Sequence, residues 1–509
     1  MSETDNRRII KNALYLYGRM LLTVGVSLYT ARVVLDTLGV QNYGIYNLVG
    51  GIVAILGFIN GTMAGATQRF LNYEMGTGDQ QKLNRTFSNA LLIHIGIAGI
   101  VLLSGETIGL WFVNNKLTIA PERMLAANIT YQLSLLTAIA GIVQIPYMAS
   151  VMAHEKMGYY ALIAIINVLL KLGVALAIMW ISSWDTLVVY AILMLAAAMI
   201  VLSLYKIYCT RRFPECHFSR RTDRGILTSM LSFSGWDLYG NVSYTGRMQG
   251  TIVILNNFGG TVLNAAGNLA LTVTGTITSF SGAVITAFRP QIIQQYAKHN
   301  HAMMLDLINK CARYAFLLMG FLVIPMFLEM DYLLNLWLRE VPAYTAAFCK
   351  IALIAACGEL LILSVSIGIH ATGRIKWYSF ITGTLYLLEL PAMYYLLKWS
   401  GEPQIIYVTH CIFITMILLT DTIILHHFIS DFNIAGFWWR GVIAPLLIVG
   451  GSGIMAALVR SSGESSLLHA FLTGLASTAI LMSATFCFGI DNRSRKRIIA
   501  KISQILHLA

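Results

Sequence analysis

Near the start of the chain, Asn12, Tyr15, Arg19, Thr23, Ser27 and Thr30 interrupt an otherwise apolar run at spacings of 3, 4, 4, 4 and 3. At about 100° per residue these six fall on one helix face. A second stripe, Ser234, Asp237, Asn241, Tyr244 and Thr251, has the same character, with Arg247 on its flank. Arginine beside amides, hydroxyls and phenols suits recognition of a polar anion. Its charge-assisted hydrogen bonds offset the cost of stripping water from the ligand. Arg19, Arg247, Tyr15, Asn241 and Tyr244 are therefore the candidate substrate-binding residues. Asp237 is a candidate working group and a candidate partner for Arg19. Lys171 (with Asn167 one turn before it), Glu359, Glu389 (just before Pro391) and His94 also fall deep in apolar runs. A charge at a helix centre costs about 2.5–3.5 kcal/mol on insertion scales, so each is a candidate site, although bundles also use such groups as internal glue. Arg32, near the end of its run, can snorkel to an interface.

The elements that carry these groups are membrane helices. The chain has 509 residues, 57% hydrophobic and 11% charged, with mean hydropathy +0.70. A water-soluble exterior needs many more charges. Fourteen apolar runs are long enough to span a bilayer. They include 11–35, 43–66, 227–256 and 260–287, and the runs at 11–35 and 227–256 are the weakest. The first follows a short charged start without a small-residue cleavage site and reads as a retained span. With the N-terminus inside, 23 of the 35 Lys and Arg residues fall on the inner side, five outside and seven within spans. The positive-inside rule then puts both termini in the cytoplasm, and topology accounts for the net charge of +12 without a nucleic-acid partner. The loops are short, so function belongs to the bundle or its mouths. Seven scattered cysteines fit no metal motif and read as unpaired thiols, and no metal site is expected.

The chain also repeats itself. At an offset of 220, Val33 aligns with Val253, Leu35 with Leu255, Gly39 with Gly259 and Arg69 with Arg289. Six spans separate the copies, so both halves enter the membrane in the same sense, as in transporters built of parallel repeats. The expected organisation is all-α: an N-terminal lobe (1–210, spans 1–6), a C-terminal lobe (211–432, spans 7–12) around a central cleft, and an addition (433–509, spans 13–14 and a basic cytoplasmic tail). Gly18, Gly235, Gly240, Gly246 and Gly250 crowd the two polar spans. They suit close packing or bending.

No G-x-x-x-x-G-K-[ST] and no H-E-x-x-H pattern occurs, and no large external loop carries paired carboxylates. A secondary transporter is expected rather than an enzyme. "TLGVQNYGIYNLV" and "ATQRFLNYEMGTGDQQKLNRTFSNALL" resemble the polysaccharide transporter (O-antigen flippase) family, within the superfamily that also holds multidrug and toxin extrusion transporters and the lipid II flippase. The resemblance is firmest over the first hundred residues. It implies an inner (cytoplasmic) membrane flippase for oligosaccharides linked to a polyprenyl diphosphate, working by alternating access in surface polysaccharide and lipopolysaccharide biosynthesis. Membrane lipid and a polysaccharide polymerase are the implied partners. No cofactor is expected beyond a coupling H+ or Na+. The alternatives are an ion-coupled exporter of small cations, for which Asp237, Glu359 and Glu389 speak, and a non-transporting membrane subunit.

Overall fold

A computed structural model of the chain describes residues 3–56, 59–115, 117, 119–181, 185–219, 223–338, 340–460, 467–489 and 495. Among these there are sixteen α-helices and no strand. In chain order they are α1 (Glu3–Leu56), α2 (Ile59–Thr77), α3 (Gln80–Ser104), α4 (Leu110–Asn115), α5 (Met124–Ala153), α6 (Met157–Ala177), α7 (Thr186–Arg212), α8 (Arg224–Ala297), α9 (His301–Leu328), α10 (Met330–Trp337), α11 (Thr345–Thr372), α12 (Lys376–Ser400), α13 (Ile405–Phe428), α14 (Ile434–Phe437), α15 (Ala444–Arg460) and α16 (Leu467–Ala484). Helix is the only open-chain element that satisfies every backbone group within its own segment, which lipid requires.

Twelve helices among the described residues are long and apolar enough to cross a membrane. Two of the fourteen expected spans are not among them. Residues 57 and 58 of the run 43–66 lie outside the described residues. The run 227–256 does form a helix, the first part of α8, but its polar stripe dilutes its apolar content.

The repeat reappears as backbone geometry. Helix α1 is broken at Gly39 (φ 73°, ψ 163°) and α8 at Gly259 (φ −137°, ψ 17°) and Gly260 (φ 59°, ψ −147°). Gly39 and Gly260 hold backbone angles that side chains exclude. At Gly18, Gly235, Gly240, Gly246 and Gly250 α1 and α8 stay helical, Gly250 closely packed against Leu390, and the breaks fall where one span hands over to the next.

The chain divides into two compact units, Met1–Leu238 with Ile293–His299, and Tyr239–Ile292 with Asn300–Ala509. The first unit therefore runs past residue 210, the boundary expected from the sequence. The reason is the linker after α7, which is fastened to α3. Asn84 donates to the carbonyls of Glu215 and His217, Asn89 to that of Asp223, and the Ser219 amide donates to Ser88. The segment after residue 433 is likewise no separate body, because α15 and α16 pack against α9 inside the second unit.

Candidate functional site

In the first unit the α1 stripe lies along the start of α6. Successive turns meet successive partners: Asn12 Nδ2 donates to Glu155 Oε2 (3.5 Å), the Tyr15 ring edge lies over Gly158, and Arg19 Nη1 donates to Tyr160 Oη (2.9 Å). The Arg19 guanidinium also stacks 4.9 Å from the Tyr160 ring centroid, and its Nε is buried with no partner. Among the described residues the candidate Arg19–Asp237 pair is not found: α1 packs on α6, and Arg19 donates to Tyr160. On α6, Tyr160, Asn167 and Lys171 share a face at spacings of 7 and 4. Lys171 is exposed, about 16 Å beyond Tyr160 at 1.5 Å per residue. Among the described residues neither Arg19 nor Lys171 has a carboxylate partner. The α6 face that meets Arg19 thus also carries the cationic Lys171.

The second unit treats its arginine differently. Arg247 on α8 is 5% exposed and donates from Nη2 to Glu359 Oε1 on α11 (3.0 Å). The Tyr244 hydroxyl lies 3.4 Å from both Glu359 oxygens, and its ring sits beneath the guanidinium, 5.0 Å from centroid to carbon. His410 on α13 carries the chain onward: Nε2 is 3.3 Å from Glu359 Oε1, and Nδ1 is 2.8 Å from Glu389 Oε1 on α12. Glu389 is fully buried, and its Oε2 has no partner. Close helix packing sets these distances. A Cβ built on Gly358, next to Glu359, would lie 2.5 Å from Ile414 Cγ2, one turn past His410, so glycine is what lets α11 and α13 approach. Arg247, Glu359, His410, Tyr244 and Tyr407 line a cavity of about 70 Å³.

The fold is that of the MATE transporters. The chain is similar to a MATE in the straight conformation (13% identity, TM-score 0.71, covering 84% of this chain and 97% of that one). It is similar to a multidrug resistance MATE family transporter of the MOP superfamily in its outward-facing conformation (12%, 0.69, 84% and 97%). It is also similar to a MOP superfamily transporter from Pyrococcus furiosus whose reverse-polarity binding pocket suggests a different function (12%, 0.66, 83% and 96%). No family model and no curated protein sequence matches the chain.

Within this MATE fold, the candidates from the sequence are distributed unevenly. Arg247, Tyr244, Glu359 and Glu389 come together in the second unit. Arg19 and Tyr15 lie at the α1–α6 seam of the first, and Lys171 is exposed on the α6 face that carries Tyr160. Asn241 is exposed and Asp237 half-buried on α8, and both have partners of their own. His94 is buried and bonds the Ala90 carbonyl one turn back (2.7 Å), which is a packing role. Sequence reasoning missed Tyr160, Tyr407 and, most consequentially, His410. The signal for His410 was present, since an intramembrane histidine is a functional candidate by default. Its two glutamates are 51 and 21 residues away in sequence, so nothing local linked them.

Proposed function

We propose that this chain is a secondary transporter for an anionic lipid-linked cargo, a polyprenyl-diphosphate-linked oligosaccharide. The cargo passes from the cytoplasmic to the outer leaflet of the cytoplasmic membrane by alternating access, for surface polysaccharide biosynthesis. One observation carries this reading: Arg19 at the α1–α6 seam and Lys171 on the α6 face that carries Tyr160 have no carboxylate partner among the described residues. A cation in a membrane helix needs a counter-charge, and a mobile phosphate would supply it. Tyr15, Asn167 and Tyr160 on the same two helices offer stacking and hydrogen bonds suited to sugar. Fold similarity to MATE transporters supports a transporter. The pocket polarity described for the Pyrococcus furiosus relative supports treating cargo charge as a property separate from fold.

The second reading is an ion-coupled exporter of multiple cationic drugs. Two of the three solved structures above are MATE proteins, one of them a multidrug resistance transporter, and Glu359 and Glu389 give the second unit carboxylates that such an exporter would use. The two readings separate in vesicles containing purified protein. Labelled polyprenyl-diphosphate oligosaccharide should cross in the wild type, and Arg19→Ala should slow it at least tenfold, the equivalent of one charge-assisted hydrogen bond. Movement of a lipophilic cation alone, with Arg19→Ala without effect, would transfer the assignment to the drug exporter.

A further inference from the structure

The chain Glu389–His410–Glu359–Arg247 has a property that the cargo reading does not use. A neutral imidazole has one donor nitrogen and one acceptor nitrogen. Both His410 nitrogens face carboxylate oxygens, at 2.8 Å and 3.3 Å. Two ionised carboxylates can accept at both ends only from an imidazolium. If the ring is neutral, one glutamate must carry the proton instead. Either way the three groups share one proton. Charge counting agrees: with Arg247 positive and two carboxylates negative, a single added proton makes the buried cluster neutral, which is the arrangement that burial favours.

The other polar groups around the cluster do not change this count. Tyr244 on α8 points its hydroxyl at Glu359. The Tyr386 ring on α12 lies 5.9 Å from the Arg247 guanidinium carbon, and Tyr407 on α13 lines the same cavity. Asp421, three turns along α13 from His410, is fully buried with both oxygens unbonded. Of the three phenols Tyr244 donates to Glu359, while the Tyr407 hydroxyl has no hydrogen-bond partner among the described residues, and Asp421 lies beyond the pairings that bind the cluster together.

We infer that His410, Glu359 and Glu389 hold one exchangeable proton, and that Glu359 occupies Arg247 as an internal stand-in for the cargo's phosphate. An anion arriving at Arg247 displaces Glu359. The freed carboxylate stays buried beside His410 and Glu389, so the trio takes up a second proton to remain neutral with the anion present. Binding at Arg247 is thereby tied to uptake of about one proton per anion charge. The anionic part of this inference rests on the proposed cargo. The shared proton does not.

Sulfate is the probe, because it carries the shape of a phosphate and does not titrate near neutral pH. Arg19 and Lys171 are both replaced by alanine, so that Arg247 is the site read. Sulfate binding to this full-length protein in detergent is followed by calorimetry in two buffers of different ionisation enthalpy. Uptake of one to two protons per sulfate is expected, with affinity rising about tenfold per proton for each unit fall in pH. Adding Glu359→Gln should keep binding, tighten it, and reduce the uptake and the pH dependence, because no carboxylate is then freed from Arg247. Binding without uptake overturns the shared-proton inference. Absence of binding overturns the displacement at Arg247, while the cargo assignment stands or falls separately on the vesicle assay with the wild type. If the glutamine variant does not fold, proton uptake with Glu359 in place decides alone: near zero refutes, one or more supports.

Discussion

Arg247 and Glu359, 112 residues apart, form an ion pair of 3.0 Å whose side chains are only 6% and 18% exposed. The arginine of the second unit is therefore neutralised from within, whereas Arg19 in the first unit donates to Tyr160 and has no carboxylate partner among the described residues. The two arginines of the polar stripes thus do different electrostatic work.

Removing one partner of that pair should be costlier than removing both. Arg247→Ala leaves the Glu359 carboxylate buried and short of a donor, at a cost of about 3–5 kcal/mol typical of a broken buried pair. Arg247→Met with Glu359→Leu removes both charges and should recover most of that loss. Thermal unfolding in detergent of the two single variants and the double variant reads the coupling. Additive losses would show that the pair contributes nothing to stability.

Gly358 should tolerate no side chain. A methyl group there would lie 2.5 Å from Ile414 and force α11 from α13, and overpacking of this kind costs about 1–3 kcal/mol. Gly358→Ala should lower the melting temperature and lengthen the Glu359–His410 contact. In the coupling experiment it should reduce proton uptake. A variant with wild-type melting and wild-type uptake would mean that the packing does not set the distance.

The helix breaks should resist substitution equally in both repeats. Gly39 (φ 73°) and Gly260 (φ 59°) occupy conformations open essentially to glycine alone. Gly39→Ala and Gly260→Ala should each cost about 1–3 kcal/mol, read as a lowered melting temperature. The same change at Gly18, which is helical with open space around it, should be neutral or slightly stabilising.

Acid should loosen the linker after α7. Burial of Glu215 opposes its charge, but the His154 ring 2.5 Å away, a backbone amide and Gln80 outweigh that and hold the carboxyl below its ordinary range. A carboxyl lowered in the folded state contributes stability at neutral pH that is lost as pH falls through its lowered value. Glu215→Gln should therefore melt at a lower temperature than wild type at pH 7, with the gap closing as the pH drops below about 4. A gap independent of pH would assign the effect to shape rather than charge.

The sequence by itself determined the helices, their membrane setting and the repeat. Lipid forbids unsatisfied backbone, so long apolar runs become helices whatever their neighbours, and a period of 3.6 is visible along a single run. That is why the stripe through Asn12, Tyr15 and Arg19 could be read directly, and why Gly39 and Gly259 aligned before either was known as a break. Weak hydropathy also marked 227–256 as unusual, for the reason the structure shows: that helix carries Arg247 and its polar companions. Only the tertiary structure decided which groups those polar faces meet. It gave Arg19 to Tyr160, gave Arg247 to Glu359, and placed His410 between two glutamates on separate helices. Such pairings depend on how closely whole helices approach, as at Gly358 and Ile414, and the sequence spacing within any one helix does not encode that.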